Sequence, residues 1–194
     1  MDHPYCYPGT DVYRNKWDIR DADLLESLER LETLNRMETL SRDIPISADG
    51  YRSLHRYLFQ NIYDWAGEDR RIDTGRPGAP FCRAAFIASE LEKRFAAIRA
   101  EDCLCNLTAG QFTARAAEHI SELNAIHPFL DGNGRTLRGF LDILAERAGH
   151  EIDLAWIDPG KWNDASIASF RRSDYAPMRD VIASTLVSPP HGLR

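Results

Sequence analysis

Apolar residues recur along most of the chain at intervals of three and four, the spacing of one helical face. Asp21 and Asp23 stand ahead of Leu24, Leu28, Leu31, Leu34, Met37 and Leu40. That pattern predicts a capped helix buried along the leucine stripe and ended by Asp43-Ile44-Pro45. Ser47 reads as the cap of a second helix carrying Tyr51, Leu54, Leu58 and Ile62, stopped by Gly67. Ile87, Leu91, Phe95 and Ile98 trace a third. Thr108 caps a fourth, with Phe112, Ala116, Ile120, Leu123 and Ile126 on one face. A glycine-rich break at 132–134 precedes a fifth, marked by Leu137, Leu141, Leu144 and Ala148, with Gly149 where a C-terminal glycine belongs. Asp158-Pro159 opens a helix holding Trp162, Ile167 and Phe170. Met178, Val181, Ile182 and Leu186 predict a last one before the Ser188-Pro189-Pro190 tail.

One stretch breaks the helical period. Arg71-Ile72-Asp73-Thr74 and Pro80-Phe81-Cys82 flank Gly75-Arg76-Pro77-Gly78-Ala79, two short extended pieces around a Gly/Pro turn. This predicts a small hairpin or flap near residues 68–82, too short to seed a sheet. The expected fold is therefore all-α, one domain over residues 1–194 with one small β-hairpin.

Composition agrees with that picture and removes other classes. A chain of 194 residues, 43% hydrophobic and 28% charged, has enough apolar surface for a core without staples and is not a disordered chain. No apolar run approaches the ~18 residues of a membrane span. Met1-Asp2-His3-Pro4 lacks the basic and apolar stretches of a signal peptide, so a cytoplasmic location is expected. With 24 Lys+Arg against 30 Asp+Glu, direct nucleic-acid binding is not expected. The cysteines Cys6, Cys82, Cys103 and Cys105 make no CxxC pair and read as reduced, small apolar residues. A zinc site using Cys103 and Cys105 is the weaker alternative.

The chemistry concentrates in His127-Pro128-Phe129-Leu130-Asp131-Gly132-Asn133-Gly134-Arg135-Thr136-Leu137-Arg138. Pro128 drives His127 out of the α region, so the fourth helix ends there and the next begins near Gly134 or Arg135. A helix N-terminus offers free N–H groups and partial positive charge, which suits phosphate. Gly132 and Gly134 permit close approach of an anion, and Asn133 adds a neutral donor. Arg135 and Arg138 share a face of the new helix. Asp131 places one carboxylate beside the anion, the usual protein share of a Mg²⁺ site. His127 is suited to take a proton from an incoming hydroxyl. Each feature alone is commonly a turn, a cap or a solvated face. Their convergence on one loop points to a phosphate site with the reaction left open.

The same segment resembles the signature of Fic-domain proteins, His-x-Phe-x-(Asp/Glu)-Gly-Asn-Gly-Arg-x-x-Arg, at every defined position. Further stretches are similar to bacterial Fic toxins and related effectors: Tyr7-Pro8-Gly9-Thr10-Asp11-Val12 through Arg14-Asn15-Lys16, Ile19-Arg20-Asp21-Ala22, Leu54-His55 through Leu58-Phe59, Ile62-Tyr63-Asp64-Trp65-Ala66-Gly67-Glu68 with Arg70, and Pro80-Phe81-Cys82. The likeness spans about residues 5–186. It implies transfer of AMP from ATP to a hydroxyl side chain of a target protein, with His127 as general base and Asp131 holding Mg²⁺ (or Mn²⁺). It implies an anion hole from Gly132, Asn133, Gly134 and Arg135, and a γ-phosphate contact from Arg138. The hairpin, with Ile72, Asp73, Thr74 and Phe81, would register the target by strand addition.

Such proteins often carry an inhibitory (Ser/Thr)-x-x-x-Glu-(Gly/Asn) motif whose Glu pairs with the second arginine, here Arg138. No Glu of this chain has Ser or Thr four residues before it. The resemblance thus implies the toxin of a toxin–antitoxin pair, with a small antitoxin supplying the Glu to Arg138. The alternatives are transfer of another phosphate-containing group and a non-catalytic nucleotide-binding module. A bacterial cytosolic target is favoured over delivery into a host cytosol.

Overall fold

Four helices start on side chains that cap them. In the computed structural model, which describes residues 4–76 and 79–187, α1 (Ala22–Glu38) opens on Asp21, whose carboxylate accepts the Leu24 N–H, and α2 (Ala48–Phe59) opens on Ser47. The hairpin strands β1 (Gly75–Arg76) and β2 (Ala79–Pro80) follow, and then α3 (Ile87–Ala100). Thr108 and Gln111 form a reciprocal capping box at the head of α4 (Ala109–Ile126). After α5 (Asn133–Arg147), Asp158 caps α6 (Pro159–Arg172) with proline in its first turn, and α7 (Ala176–Ala183) ends the described helices.

The core forms around α4, which packs against α3, α5, α6 and α7. Its Phe112, Ala116, Ala117, Ile120 and Leu123 are buried, as are Leu54 and Leu58 of α2 and Leu137, Leu141 and Leu144 of α5. The expected stripes of α2 to α5 are thus the ones that pack.

Three expectations are corrected. The leucine stripe of α1 is not its buried face: Leu24 is 50% exposed and Leu31 and Leu34 each 56%, whereas Leu25, Glu29 and Thr33 are buried. One residue of helix is about 100° of rotation, and the face turned inward is the one that brings Glu29 to Arg135 and Tyr63. Next, α2 stops at Phe59 rather than near Gly67, and Ile62 and Tyr63 are buried from the turns that follow. Finally, the hairpin is shorter and sits further inward than the extended pieces. Gly75 faces Pro80 and Arg76 faces Ala79, with one further bond from the Phe81 N–H to the Thr74 carbonyl at 3.1 Å.

A buried arginine anchors that hairpin. Arg70 is 2% exposed. Its guanidinium donates to the carbonyls of His127 (2.8 Å), Ile72 (2.7 Å), Ile126 (3.3 Å) and Cys82, and its own N–H reaches the Pro128 carbonyl at 2.8 Å. One side chain thereby joins both legs of the hairpin to the end of α4. Burial pushes its pKa down, yet four accepting carbonyls offset the desolvation of the cation.

A neutral histidine supports the following loop from below. His55, fully buried in α2, stacks on Phe129 at 3.8 Å and on Phe59 at 4.6 Å. Its Nδ1 accepts the Gly67 N–H at 2.8 Å, so Nε2 carries the hydrogen and donates it to the Asp131 carbonyl at 3.0 Å. Burial pushes its pKa down from 6.5 to about 3.

Two outcomes are expected. The unfolded chain takes up a proton at His55 near 6.5 that the folded chain refuses down to about 3, so stability falls as pH drops through that window and is unaffected above it. Denaturant titrations at pH about 7.5 and about 5 should show a smaller loss for His55→Gln than for the parent, because only the parent carries this linkage. Arg70→Met should cost about 3 kcal/mol or more, since it leaves several buried carbonyls without donors. The drop should be read from the denaturation midpoint.

Candidate active site

The site begins where α4 ends. His127 adopts a left-handed conformation (φ 49°), held by its N–H on the Leu123 carbonyl and by Arg70 on its own carbonyl. The expectation that Pro128 expels His127 from the α region is met by this turn. The strain of a non-glycine residue there is about 1–2 kcal/mol. The Nδ1 atom lies 3.3 Å from the Asn124 carbonyl. A carbonyl only accepts, so Nδ1 bears the hydrogen and the lone pair sits on Nε2. Phe81 stacks face to face on the imidazole, with centroids 3.8 Å apart and planes within 1°.

That stacking changes the picture of the flap. Phe81 is half-buried between His127 and Phe170 and fixes the imidazole plane rather than facing outward. Ile72 gives its carbonyl to Arg70, and Asp73, though exposed, accepts the Ala84 N–H at 2.8 Å. Thr74 is half-buried and bonds Phe81 through its carbonyl.

The loop from Pro128 to Gly132 is closed by one side chain. Asn133 is 5% exposed; its Oδ1 accepts the Phe129 N–H at 3.0 Å and its Nδ2 donates to the Phe129 carbonyl at 2.8 Å. The reading of its amide as a donor to an anion is therefore corrected: both ends are used within the loop, leaving the backbone N–H. Gly132, the N-cap of α5, has φ 76°, and a Cβ there would lie 2.3 Å from the Phe59 ring. Conformation and space both demand glycine. No side chain caps α5, so its first turn presents N–H groups to any anion that arrives. Asp131 is half-exposed (47%), and its Oδ1 accepts the Gly132 N–H at 2.6 Å.

Asp131, Arg135 and Arg138 line one cavity of about 770 Å³, together with Tyr13, Leu25, Glu29, Tyr63, Ile157 and others. His127 is not among the lining residues. The two arginines differ sharply. Arg135 pairs with Glu29 and stands 3.9 Å from Asp131, with its guanidinium 4.8 Å above the Phe59 ring. Arg138 makes no ion pair among the described residues, and its guanidinium lies 6.0 Å from the centroid of Trp162. Burial and then the neighbouring Arg135 push its pKa down, so it is a cation short of counter-charge. Glu29 is 5% exposed, and burial raises its pKa against the pull of Arg135. The Tyr63 hydroxyl donates to it.

Arg70, His55, Tyr63 and Glu29 support the site although the sequence assigned them no role. The first three stand in the stretches that resemble the Fic family, which is a signal without a mechanism. Glu29 had none, because the leucine period of α1 drew attention to another face. Elsewhere, Cys105 Sγ lies 3.4 Å from the Arg147 carbonyl, burial raises the pKa of Cys103, and no cluster of three His, Cys, Asp or Glu able to hold a metal occurs among the described residues.

Residues 45–145 match the Fic/DOC family. Over 92% of its length the chain is 39% identical to y4lH of Sinorhizobium fredii, named a probable protein adenylyltransferase, covering 93% of that protein. It superposes on BepC, a VirB-translocated effector of Bartonella tribocorum with bound AMPPNP, with TM-score 0.88 and 26% identity over 95% of this chain and 97% of that one. The N-terminal Fic domain of a Bartonella quintana effector with bound ADP gives TM-score 0.91 and 28% identity, covering 96% of each chain. With more than half of its residues inside the family match and every defined position of the signature present, this chain belongs to the Fic/DOC family.

Proposed function

We propose that this protein transfers AMP from ATP to a hydroxyl side chain (Tyr, Thr or Ser) of a target protein. The observation that carries the reading is the cavity that Asp131, Arg135 and Arg138 line together, with Arg135 standing in the uncapped first turn of α5. That is a seat for a polyphosphate. AMPPNP bound to BepC and ADP bound to the Bartonella quintana domain support a nucleotide as the ligand.

In this reading Nε2 of His127 takes the proton of the target hydroxyl. The oxygen bonds to the α-phosphorus, the bond from α-phosphorus to the bridging oxygen breaks, and pyrophosphate leaves. The backbone N–H groups of Asn133 and Gly134 and the guanidinium of Arg135 stabilise charge on the transferring group, and Arg138 meets the γ-phosphate. Asp131 fits a divalent cation: with Oδ1 on the Gly132 N–H, Oδ2 remains for the metal, and phosphate oxygens complete such a site. A divalent cation such as Mg²⁺ or Mn²⁺ held by Asp131 would supply charge neutralisation to the polyphosphate. The hairpin offers a strand edge to the target.

Regulation follows from Arg138. It has no carboxylate partner among the described residues, so a separate small antitoxin offering a Glu would find it unpaired. The exposed Leu24, Leu31 and Leu34 give a helical partner an apolar strip on the outward face of α1. The chain would then be the toxin of the pair.

His127→Ala should keep the fold and ATP binding while lowering transfer of labelled AMP by roughly 10²–10⁴-fold, the usual worth of a general base. A wild-type rate would overturn the assignment. Excess EDTA should abolish transfer and Mg²⁺ or Mn²⁺ should restore it. Expressed alone, the chain should slow bacterial growth and adenylylate host proteins, identifiable by mass spectrometry. A Glu-bearing partner should silence it, and replacing that Glu with Gly should restore activity without dissolving the complex. A folded, ATP-binding chain that is silent when expressed alone would refute the two-protein arrangement.

A further inference from the structure

Arg135 reaches the cavity with its orientation already set. Its Nη2 pairs with Oε1 of Glu29, and its plane rests over Phe59 at 4.8 Å. Glu29 is in turn fixed: it is 5% exposed, and its second oxygen accepts the hydroxyl of Tyr63, a residue 2% exposed. The contact joins residues from α1, α5 and the turn after α2, so it is a product of the tertiary fold rather than of helix spacing. An arginine on a free stem must lose up to about 2 kcal/mol of rotamer entropy when it grips a ligand. Here folding has already imposed that order.

We infer that Glu29 is a positioning residue for the nucleotide's phosphates, acting through Arg135: it holds one edge of the guanidinium so that the remaining N–H groups meet the phosphoryl group in a single orientation. The inference rests on the proposed reading of the cavity as a nucleotide site. It has a definite cost. A carboxylate beside a polyphosphate opposes binding by charge, so Glu29 exchanges affinity for alignment. A residue that merely stabilised the fold would show no such exchange.

The experiment compares the full chain with Glu29→Ala, Glu29→Gln, Arg135→Ala and the double variant Glu29→Ala/Arg135→Ala. AMP transfer is measured at saturating MgATP, and MgATP and adenosine affinities by calorimetry. Glu29→Ala should lower kcat by tenfold or more, because misalignment by ~1 Å costs about 100-fold. It should bind MgATP as tightly as the parent or more tightly. Glu29→Gln, whose amide oxygen can still accept from Arg135 while its NH₂ donates to the Tyr63 oxygen, should recover most of kcat. In the Arg135→Ala background, Glu29→Ala should cost nothing further. A kcat within about twofold of the parent, a parallel loss of kcat and affinity, or additive losses in the double variant would each overturn the inference. If Glu29→Ala does not fold, Tyr63→Phe takes its place, since it loosens the carboxylate without removing it. It should lower kcat in the parent but not in the Arg135→Ala background, and additive losses would again refute the inference. If the parent transfers no AMP, the proposed function fails, and Glu29 is judged by binding alone. The factor by which Glu29→Ala changes MgATP affinity relative to adenosine should then differ between the two backgrounds, and equal factors would overturn it.

Discussion

The loop between α4 and α5 depends on side chains that have no chemistry of their own to perform. Arg70 gathers carbonyls from His127, Ile126, Ile72 and Cys82, while the Asn133 amide closes on both backbone groups of Phe129. Between them they fix a left-handed histidine at one end and an uncapped helix start at the other. A short loop carrying two glycines would otherwise have many conformations, and each disordered residue would dilute the alignment that phosphoryl transfer needs. The hydrophobic core supplies the platform below: Phe129 stacks on His55, which stacks on Phe59, and the edge of Phe59 excludes any side chain at Gly132. Packing and geometry of the site are thus the same interactions seen from two sides.

Charge is arranged with equal economy. Of the two motif arginines, one is neutralised by the buried Glu29 and the other is left without a carboxylate among the described residues. Two unpaired guanidiniums on adjacent turns would repel each other in a low-dielectric cavity. Pairing one relieves that repulsion and leaves the attraction for an incoming anion concentrated on Arg138 and the α5 N-terminus. This asymmetry limits the positive potential that the fold itself must tolerate.

Much of this was legible in the sequence. The helices α2 to α7 follow from apolar period and caps, because Ser47, Thr108 and Asp158 act locally. The break between two helices after His127 could be read as well, because helix ends and glycines carry their meaning within a few residues. What could not be read was long-range. Asn133 looks like a donor to a ligand until its partner, Phe129, is known. The inward face of α1 is decided by Arg135, more than 100 residues away in sequence, so the leucine period misled. Phe81 belonged to the hairpin by sequence, yet its ring belongs to His127.

That last contact couples two parts of the protein usually treated separately. Phe81 follows directly on β2, and the ring it offers is the wall against which the imidazole lies flat. A hairpin displaced far enough to unstack Phe81 would release the histidine plane as well. In the proposed reading, water would meet a base whose orientation it cannot influence, whereas a polypeptide pairing along the hairpin would steady that base by the same act that docks it. Discrimination against hydrolysis would then be a mechanical property of the hairpin, exerted before any bond is made.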